Sequence, residues 1–193
     1  GTLVGGRSLR GRVVLSTGGG RVRAAGQALP VGVLIPTFNS AGSRLYMLAG
    51  RDNNTIFSDI AYYDLASSTW SVVTPSLPLT ARYDASVAVR NDTLYVGGGA
   101  TSPSSMLGDL WRIDGLTGNN VSYGNVLPLG ALPSLSFDDH GEGLVYGGGY
   151  YGSTWYADVW TVRFQGSQVV TSFVRNFGVD GMVFDQQGFQ TTS

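Results

Sequence analysis

The stretch DTLYVGGGATSPSSMLGDLWRID, from Asp92 to Asp114, climbs through a short apolar run and stops at three glycines. It then crosses a loop of small residues and resumes as a second apolar run opened by an acid. The pattern returns. LYMLAG (Leu45 to Gly50), LYVGGG (Leu94 to Gly99) and LVYGGG (Leu144 to Gly149) begin 49 and then 50 residues apart. Nine or ten residues after each last glycine come DIAYYD from Asp59, DLWRID from Asp109 and DVWTVR from Asp158. In this alignment Trp111 coincides with Trp160, and Tyr63, Ile113 and Val162 share a column. Self-similarity at a period of about 50 residues marks a repeat architecture, in which one unit cannot bury its faces alone.

Each unit reads as four strands. An alternating run precedes the glycine strand: VGVLIPT (Val31 to Thr37), ASVAV (Ala85 to Val89) and SLSF (Ser134 to Phe137). Another follows the acid strand: TWSVV (Thr69 to Val73), VSY (Val121 to Tyr123) and VVTSFV (Val169 to Val174). Alternation, β-branched and aromatic residues, and Gly, Asn or Asp at the breaks all favour strands. No window keeps a helical period for the ten or more residues a helix needs. At the ends, LVGG (Leu3 to Gly6), RVVLS (Arg12 to Ser16) and RVRAA (Arg21 to Ala25) read as the later strands of one more unit, and GMVFD (Gly181 to Asp185) as a first strand.

A glycine-pair strand, a loop, an acid opening an aromatic strand, and a Trp about six residues beyond that strand together resemble the kelch motif. The best-kept copy runs from Leu45 to Val73, with Ala49-Gly50, Tyr62, Tyr63 and Trp70; the second keeps Gly98-Gly99 and Trp111, the third Gly148-Gly149 and Trp160. The resemblance implies an all-β fold, a kelch-type β-propeller whose blades are four-stranded antiparallel sheets. About four blades are expected: residues 1–26 plus 181–185, 31–73, 84–123 and 133–174. Two arrangements fit, a ring of four blades closed by Gly181 to Asp185, or an arc cut from a larger propeller. A chain opening on Gly1 rather than Met is expected to be a piece of a longer one.

Composition narrows function. All twelve basic residues are arginines and the net charge is −1, which disfavours a nucleic-acid partner. Five of those arginines fall in the first 23 residues, interrupted by Gly and Ser, and read as a solvated edge. With no cysteine and one histidine, thiol chemistry, a zinc site and a catalytic triad are all disfavoured, so no catalytic residue and no cofactor are expected. The galactose-oxidase class, which the propeller reading also resembles, relies on a copper centre with histidine ligands and a tyrosine crosslinked to cysteine, which this chain cannot supply. No apolar run approaches the ~20 residues that cross a bilayer.

Candidate binding residues lie on loops joining strands two and three or joining successive blades, because scaffolds of this kind carry function on loops. They are Arg51, Asp52 and Asn53; Arg82 and Tyr83; Ser102 to Met106; and Tyr150, Tyr151 and Trp155 within GGGYYGSTWY. FDDHGEG (Phe137 to Gly143) holds acids and the histidine but sits where a hairpin turn is expected, so no metal is assigned to it. Asp59, Asp109 and Asp158 recur by repeat and read as strand-entry residues bonding to backbone. Sequons at Asn53, Asn91 and Asn120 fall in expected loops or turns and suggest a glycoprotein.

The resulting expectation is a non-catalytic interaction module, extracellular or on a cell surface, that binds a protein or glycan. Two other readings stay open: an intracellular kelch adaptor in the cytoplasm, and a carbohydrate-active or oxidase-like propeller enzyme.

Overall fold

The computed structural model describes residues 13–14, 21–24, 27–32, 37–38, 42–51, 55–129, 133–138, 143–151 and 154–176. Below residue 42 it describes backbone only. The strands are β1 (Val13–Val14), β2 (Arg21–Ala24), β3 (Gln27–Gly32), β4 (Thr37–Phe38), β5 (Arg44–Arg51), β6 (Ile56–Asp64) and β7 (Thr69–Val73). There follow β8 (Ser86–Arg90), β9 (Thr93–Gly97), β10 (Ala100–Ser102), β11 (Ser105–Met106), β12 (Asp109–Asp114) and β13 (Asn120–Asn125). The last are β14 (Ser134–Phe137), β15 (Gly143–Gly147), β16 (Tyr150–Tyr151), β17 (Thr154–Trp155), β18 (Asp158–Gln165) and β19 (Gln168–Asn176).

The described chain is all-β. Three four-stranded antiparallel sheets follow one another, ordered β4-β5-β6-β7, β8-β9-β12-β13 and β14-β15-β18-β19, each a meander in sequence order. A three-stranded sheet, β1-β2-β3, precedes them. Short hairpins, β10-β11 and β16-β17, rise from the joint between the second and third strands of the second and third meanders. Among the described residues there is no helix, so none is long and apolar enough to cross a membrane, and no sheet closes on itself.

One boundary differs from expectation. VGVLIPT does not open the first meander as one strand: Val31 and Gly32 belong to β3, which pairs with β2, and the meander begins at Thr37–Phe38 opposite Leu45 and Tyr46. A continuous apolar run carries no period-two mark, so nothing in it says which sheet owns its first half. LVGG and GMVFD lie outside the described residues.

The glycine pairs share one backbone state. Gly98 and Gly99 have φ of 66° and 92°, Gly148 and Gly149 of 69° and 121°. In the first copy Ala49 (54°) and Gly50 (108°) do the same. The left-handed turn ends the strand, and the carbonyl of the repeat acid then accepts the first glycine's N–H: Asp109 from Gly98 at 3.3 Å, Asp158 from Gly148 at 3.0 Å. A side chain on Gly99 would also meet the Tyr83 carbonyl, its Cβ 2.8 Å from that oxygen.

The inner strands of the second meander serve two cores. Along β9, Leu94 and Val96 pack toward the first meander, whereas Tyr95 packs toward the third. Along β12, Trp111 and Ile113 join Tyr46, Leu48 and Ile60, while Leu110 joins Leu127, Leu144, Tyr146 and Val162. The meanders therefore stack face to face, and their first strands are neighbours, β8 lying between β4 and β14. Ile60, Leu94, Ile113 and Val162 are completely buried, each contributing roughly 1.5–3 kcal/mol.

Tight turns finish the strands. Asn91 and Asp92 both have positive φ (47° and 60°) in the two-residue connection of β8 to β9, the geometry that matches strand twist. Asp64 and Asp114, one repeat apart, each accept two backbone N–H bonds from the turn that follows: Ala66 and Ser67 at 3.0 Å, Leu116 and Thr117 at 2.9 Å. Those bonds hold both carboxyls below the usual carboxylate range, the Ser67 amide leading for Asp64 and the Thr117 amide for Asp114. A depressed folded-state pKa means stability that is present above the unfolded value of about 3.9 and lost as pH falls through the folded value. Urea midpoints should therefore drop on acidification below about pH 4, and Asp114→Ala should flatten that drop while lowering the neutral-pH midpoint.

Candidate functional site

The hairpin end of the stack is assembled from two sheets by Arg82 and Tyr83. Arg82 lies in the connector from β7 to β8, yet its backbone pairs with the first meander: its carbonyl accepts from Gly50 N at 2.8 Å, and its own N–H donates to Phe57 O at 2.9 Å. Its side chain reaches into the second. The guanidinium donates to both carboxylate oxygens of Asp109 (2.6 and 2.7 Å), to Gly98 O at 3.1 Å and, through Nε, to Thr80 O at 3.1 Å. Trp111 Nε1 donates to the same carboxylate at 2.6 Å. Tyr83 bonds Ala100 in both directions and packs against it together with Ile56 and Met106, which seats the base of hairpin β10-β11 on the first meander. Arg51 then stacks over the Tyr83 ring, its guanidinium carbon 4.2 Å from the centroid.

These contacts revise several expectations. Arg82 is 0 % exposed, so it is an internal cation clamped by a carboxylate and not a surface contact for a partner. Tyr83 is buried too, under Arg51 and the hairpin base. Asp109 bonds to side chains, Arg82 and Trp111, in addition to the backbone bond its carbonyl makes. Asp158 likewise accepts from Asn176 Nδ2 at 2.6 Å. Arg51 is exposed, and the tip of hairpin β10-β11 presents Pro103, Ser104 and Ser105 to solvent beyond the partly buried Ser102 and Met106. Tyr150, Tyr151 and Trp155 form the paired backbone of β16-β17, with Tyr150 opposite Trp155 and Tyr151 opposite Thr154. Asp52 and Asn53 lie outside the described residues, as do residues 139–142 of FDDHGEG. Among the described residues, no three of His, Cys, Asp and Glu gather as a metal site would require.

The two hairpins are equivalent by hydrogen bonding as well as by sequence. Leu107 N donates to Gly99 O at 2.8 Å, and Tyr156 N to Gly149 O at 2.9 Å, closing each hairpin onto its glycine pair. The exposed surface so formed offers a guanidinium lying on an aromatic ring and a row of hydroxyls. Such groups recognise polar and anionic surfaces by hydrogen bonding.

The sequons separate. Asn91 is exposed in its turn. Asn120 does not lie in a loop: it opens β13, is 8 % exposed, and its amide is engaged through both oxygen and nitrogen. Its Oδ1 accepts from Ser76 Oγ and from Leu77 N, both at 2.7 Å, and its Nδ2 donates to Leu77 O at 2.9 Å. A glycan on that nitrogen would displace the connector that Asn120 holds. Asn120→Ala should cost about 1–3 kcal/mol by stranding the Leu77 groups, seen as a lower urea midpoint with an unchanged slope.

Sequence reasoning missed a second network, at the opposite end of the stack. Asp92 leans from its turn against β5, where its Oδ1 accepts the Tyr46 hydroxyl at 2.8 Å and its Oδ2 accepts Arg44 Nη1 at 2.9 Å. Arg44 also pairs with Asp64 at 3.2 Å and lies over the Tyr62 ring. Burial, reinforced by the bond to Asp92, raises the Tyr46 hydroxyl far above its ordinary value, so it remains a donor at any physiological pH. Burial works against the Arg44 charge, but Asp92 and Asp64 outweigh it and raise its pKa. The Asn-Asp turn was the one available signal, and it announces the turn without naming its distant partners.

The chain matches no known family model, and no curated protein is significantly similar to it.

Proposed function

We propose that this chain is a non-catalytic interaction module of the kelch β-propeller type, extracellular or on a cell surface, which binds a protein or glycan through the hairpin end of its sheets. The observation that carries the reading is the continuity of that end. Arg82 and Tyr83 join the first meander to hairpin β10-β11, so that Arg51 and the serine-rich tip form one exposed surface on a rigid base. Binding residues are disproportionately found on loops held by such scaffolds. The blade reading is supported by three like meanders stacked face to face with adjacent first strands. The exposed sequon at Asn91 supports passage through a secretory pathway.

Two measurements test this. Intact mass of native material before and after enzymatic removal of N-glycans should fall on treatment, and Asn91→Gln should abolish part of the difference. A mass equal to the bare 20.4 kDa chain would favour the cytoplasmic adaptor instead. On a glycan array and against surface-protein extracts, Arg51→Ala and the Tyr151→Ala, Trp155→Ala pair should each weaken binding by about tenfold or more, as loss of a central contact does, while leaving the fold intact. Unchanged binding in both variants would remove the hairpin end from consideration.

A further inference from the structure

At the end of the stack opposite the hairpins, the second and third meanders part around a cleft of about 340 Å³, a volume within the usual range for sites that hold small molecules. Asn91, Thr93, Tyr95 and Tyr123 line it from the second meander, Phe137 and Phe164 from the third. The four rings form one connected wall. Phe137 meets Tyr95 edge-on at 5.6 Å, Phe164 lies 5.2 Å from Tyr95, and Tyr123 continues the wall 5.5 Å from Phe164. All four are half-buried, so each keeps surface that a further group can cover.

Asn91, Asp92 and Thr93 are a sequon, and the turn sends its members to opposite sides. Asp92 leans toward the first meander, where it accepts from Tyr46 and Arg44 at 2.8 and 2.9 Å. Asn91 and Thr93 border the cleft on the side of the third. Strand alternation agrees, since Thr93 shares a face of β9 with Tyr95, which packs toward the third meander, while Leu94 and Val96 pack toward the first. Asn91 is exposed at the rim, unlike the buried Asn120. A sugar attached to Asn91 therefore starts from the lining of the cleft itself.

We propose that the first N-acetylglucosamine of a glycan on Asn91 seats in this cleft, its C–H face against the wall of Tyr95, Tyr123, Phe137 and Phe164, and fastens the second meander to the third. The seat rests on the secretory reading above and is independent of what the hairpin end binds. The transfer forms a bond from Asn91 Nδ2 to C1 of the sugar. The bond from that carbon to the diphosphate of a lipid-linked oligosaccharide donor breaks, the diphosphate leaves with the electron pair, and the amide gives up one proton. The C–H groups of a sugar ring are slightly positive and the faces of aromatic rings negative, so the sugar covers the wall without an ionic partner. Tethering makes the contact intramolecular, so an attraction too weak to hold a free sugar is enough.

The test uses the intact chain carrying Thr55→Ala and Ser122→Ala, changes at two exposed residues that remove the other sequons and leave Asn120 in place. Secreted from a eukaryotic host and trimmed by an endoglycosidase to one N-acetylglucosamine on Asn91, it is compared with the same sequence made in a bacterial cytoplasm, where Asn91 stays unmodified. The sugar should raise the urea midpoint by roughly 0.3–0.7 M, and the ring currents of the wall should move its acetyl methyl resonance upfield of the free sugar's. In Tyr123→Ala, measured with and without the sugar, the gain should fall by about half or more, because the wall's own contribution cancels in that comparison. A sugar on Asn91 that leaves either the midpoint or the methyl resonance unchanged overturns the seat alone and leaves secretion standing. An Asn91 that carries no sugar in the secreted chain overturns the seat and removes this sequon as support for secretion. A gain that survives Tyr123→Ala undiminished also overturns the seat, because the sugar would then be acting on the unfolded chain.

Discussion

Asp109→Ala is expected to destabilise the fold by about 3–5 kcal/mol, a large share of the roughly 5–15 kcal/mol that holds a domain of this size together. The variant leaves the Arg82 guanidinium 0 % exposed with only two carbonyls, Thr80 and Gly98, to receive its donors. It also strands Trp111 Nε1, whose acceptor is the same carboxylate. A buried charge without its counter-ion costs far more than the intact pair contributes, so the asymmetry can be measured directly. Arg82→Met combined with Asp109→Leu should recover much of the loss, because the cation and the anion leave together. Urea unfolding followed by tryptophan fluorescence reads both variants. A loss under about 1 kcal/mol for Asp109→Ala would mean that water reaches the pair and that the two meanders are held chiefly by their apolar faces.

The second large effect is expected at Gly118. Its φ of +78° already penalises a side chain, and a Cβ would fall 2.0 Å from Thr74 O, a backbone atom of the connector that Ser76 N ties to Gly118 O at 2.9 Å. Neither partner can yield without breaking that bond. Gly118→Ala should therefore cost about 3 kcal/mol or more, conformational strain and steric displacement together. Gly124 is the built-in control: its φ is +73°, but nothing lies within 4 Å of its Cβ position, so Gly124→Ala should cost only the conformational part, about 1–2 kcal/mol. Equal losses in the two variants would show that space around Gly118 opens easily.

Much of the architecture was legible because it is written locally. The period-two runs at 86–90, 93–97 and 109–114 and the glycines that stop them carry their own signal, and the 49- and 50-residue spacing adds a second reading of the same strands. The run from Val31 to Thr37 failed for the same reason in reverse: it is apolar without alternation. Arg82 reads as a surface loop residue because charged side chains usually are, and its carboxylate stands 27 residues away with no local mark. Asn120 satisfied a three-residue sequon, but its burial depends on Ser76 and Leu77, 44 and 43 residues upstream. Spatial partners of that kind are fixed by sheet stacking, which a sequon or a loop rule does not see.

Because alternate residues of β9 and β12 serve different cores, the second sheet owns no private interior; it lends half a core to either neighbour. For a gene encoding such a chain, duplication of one period is then a conservative event. An extra copy would meet the same faces on both sides that its parent met, so a molecule of this design can lengthen by whole units without any established contact having to be reinvented.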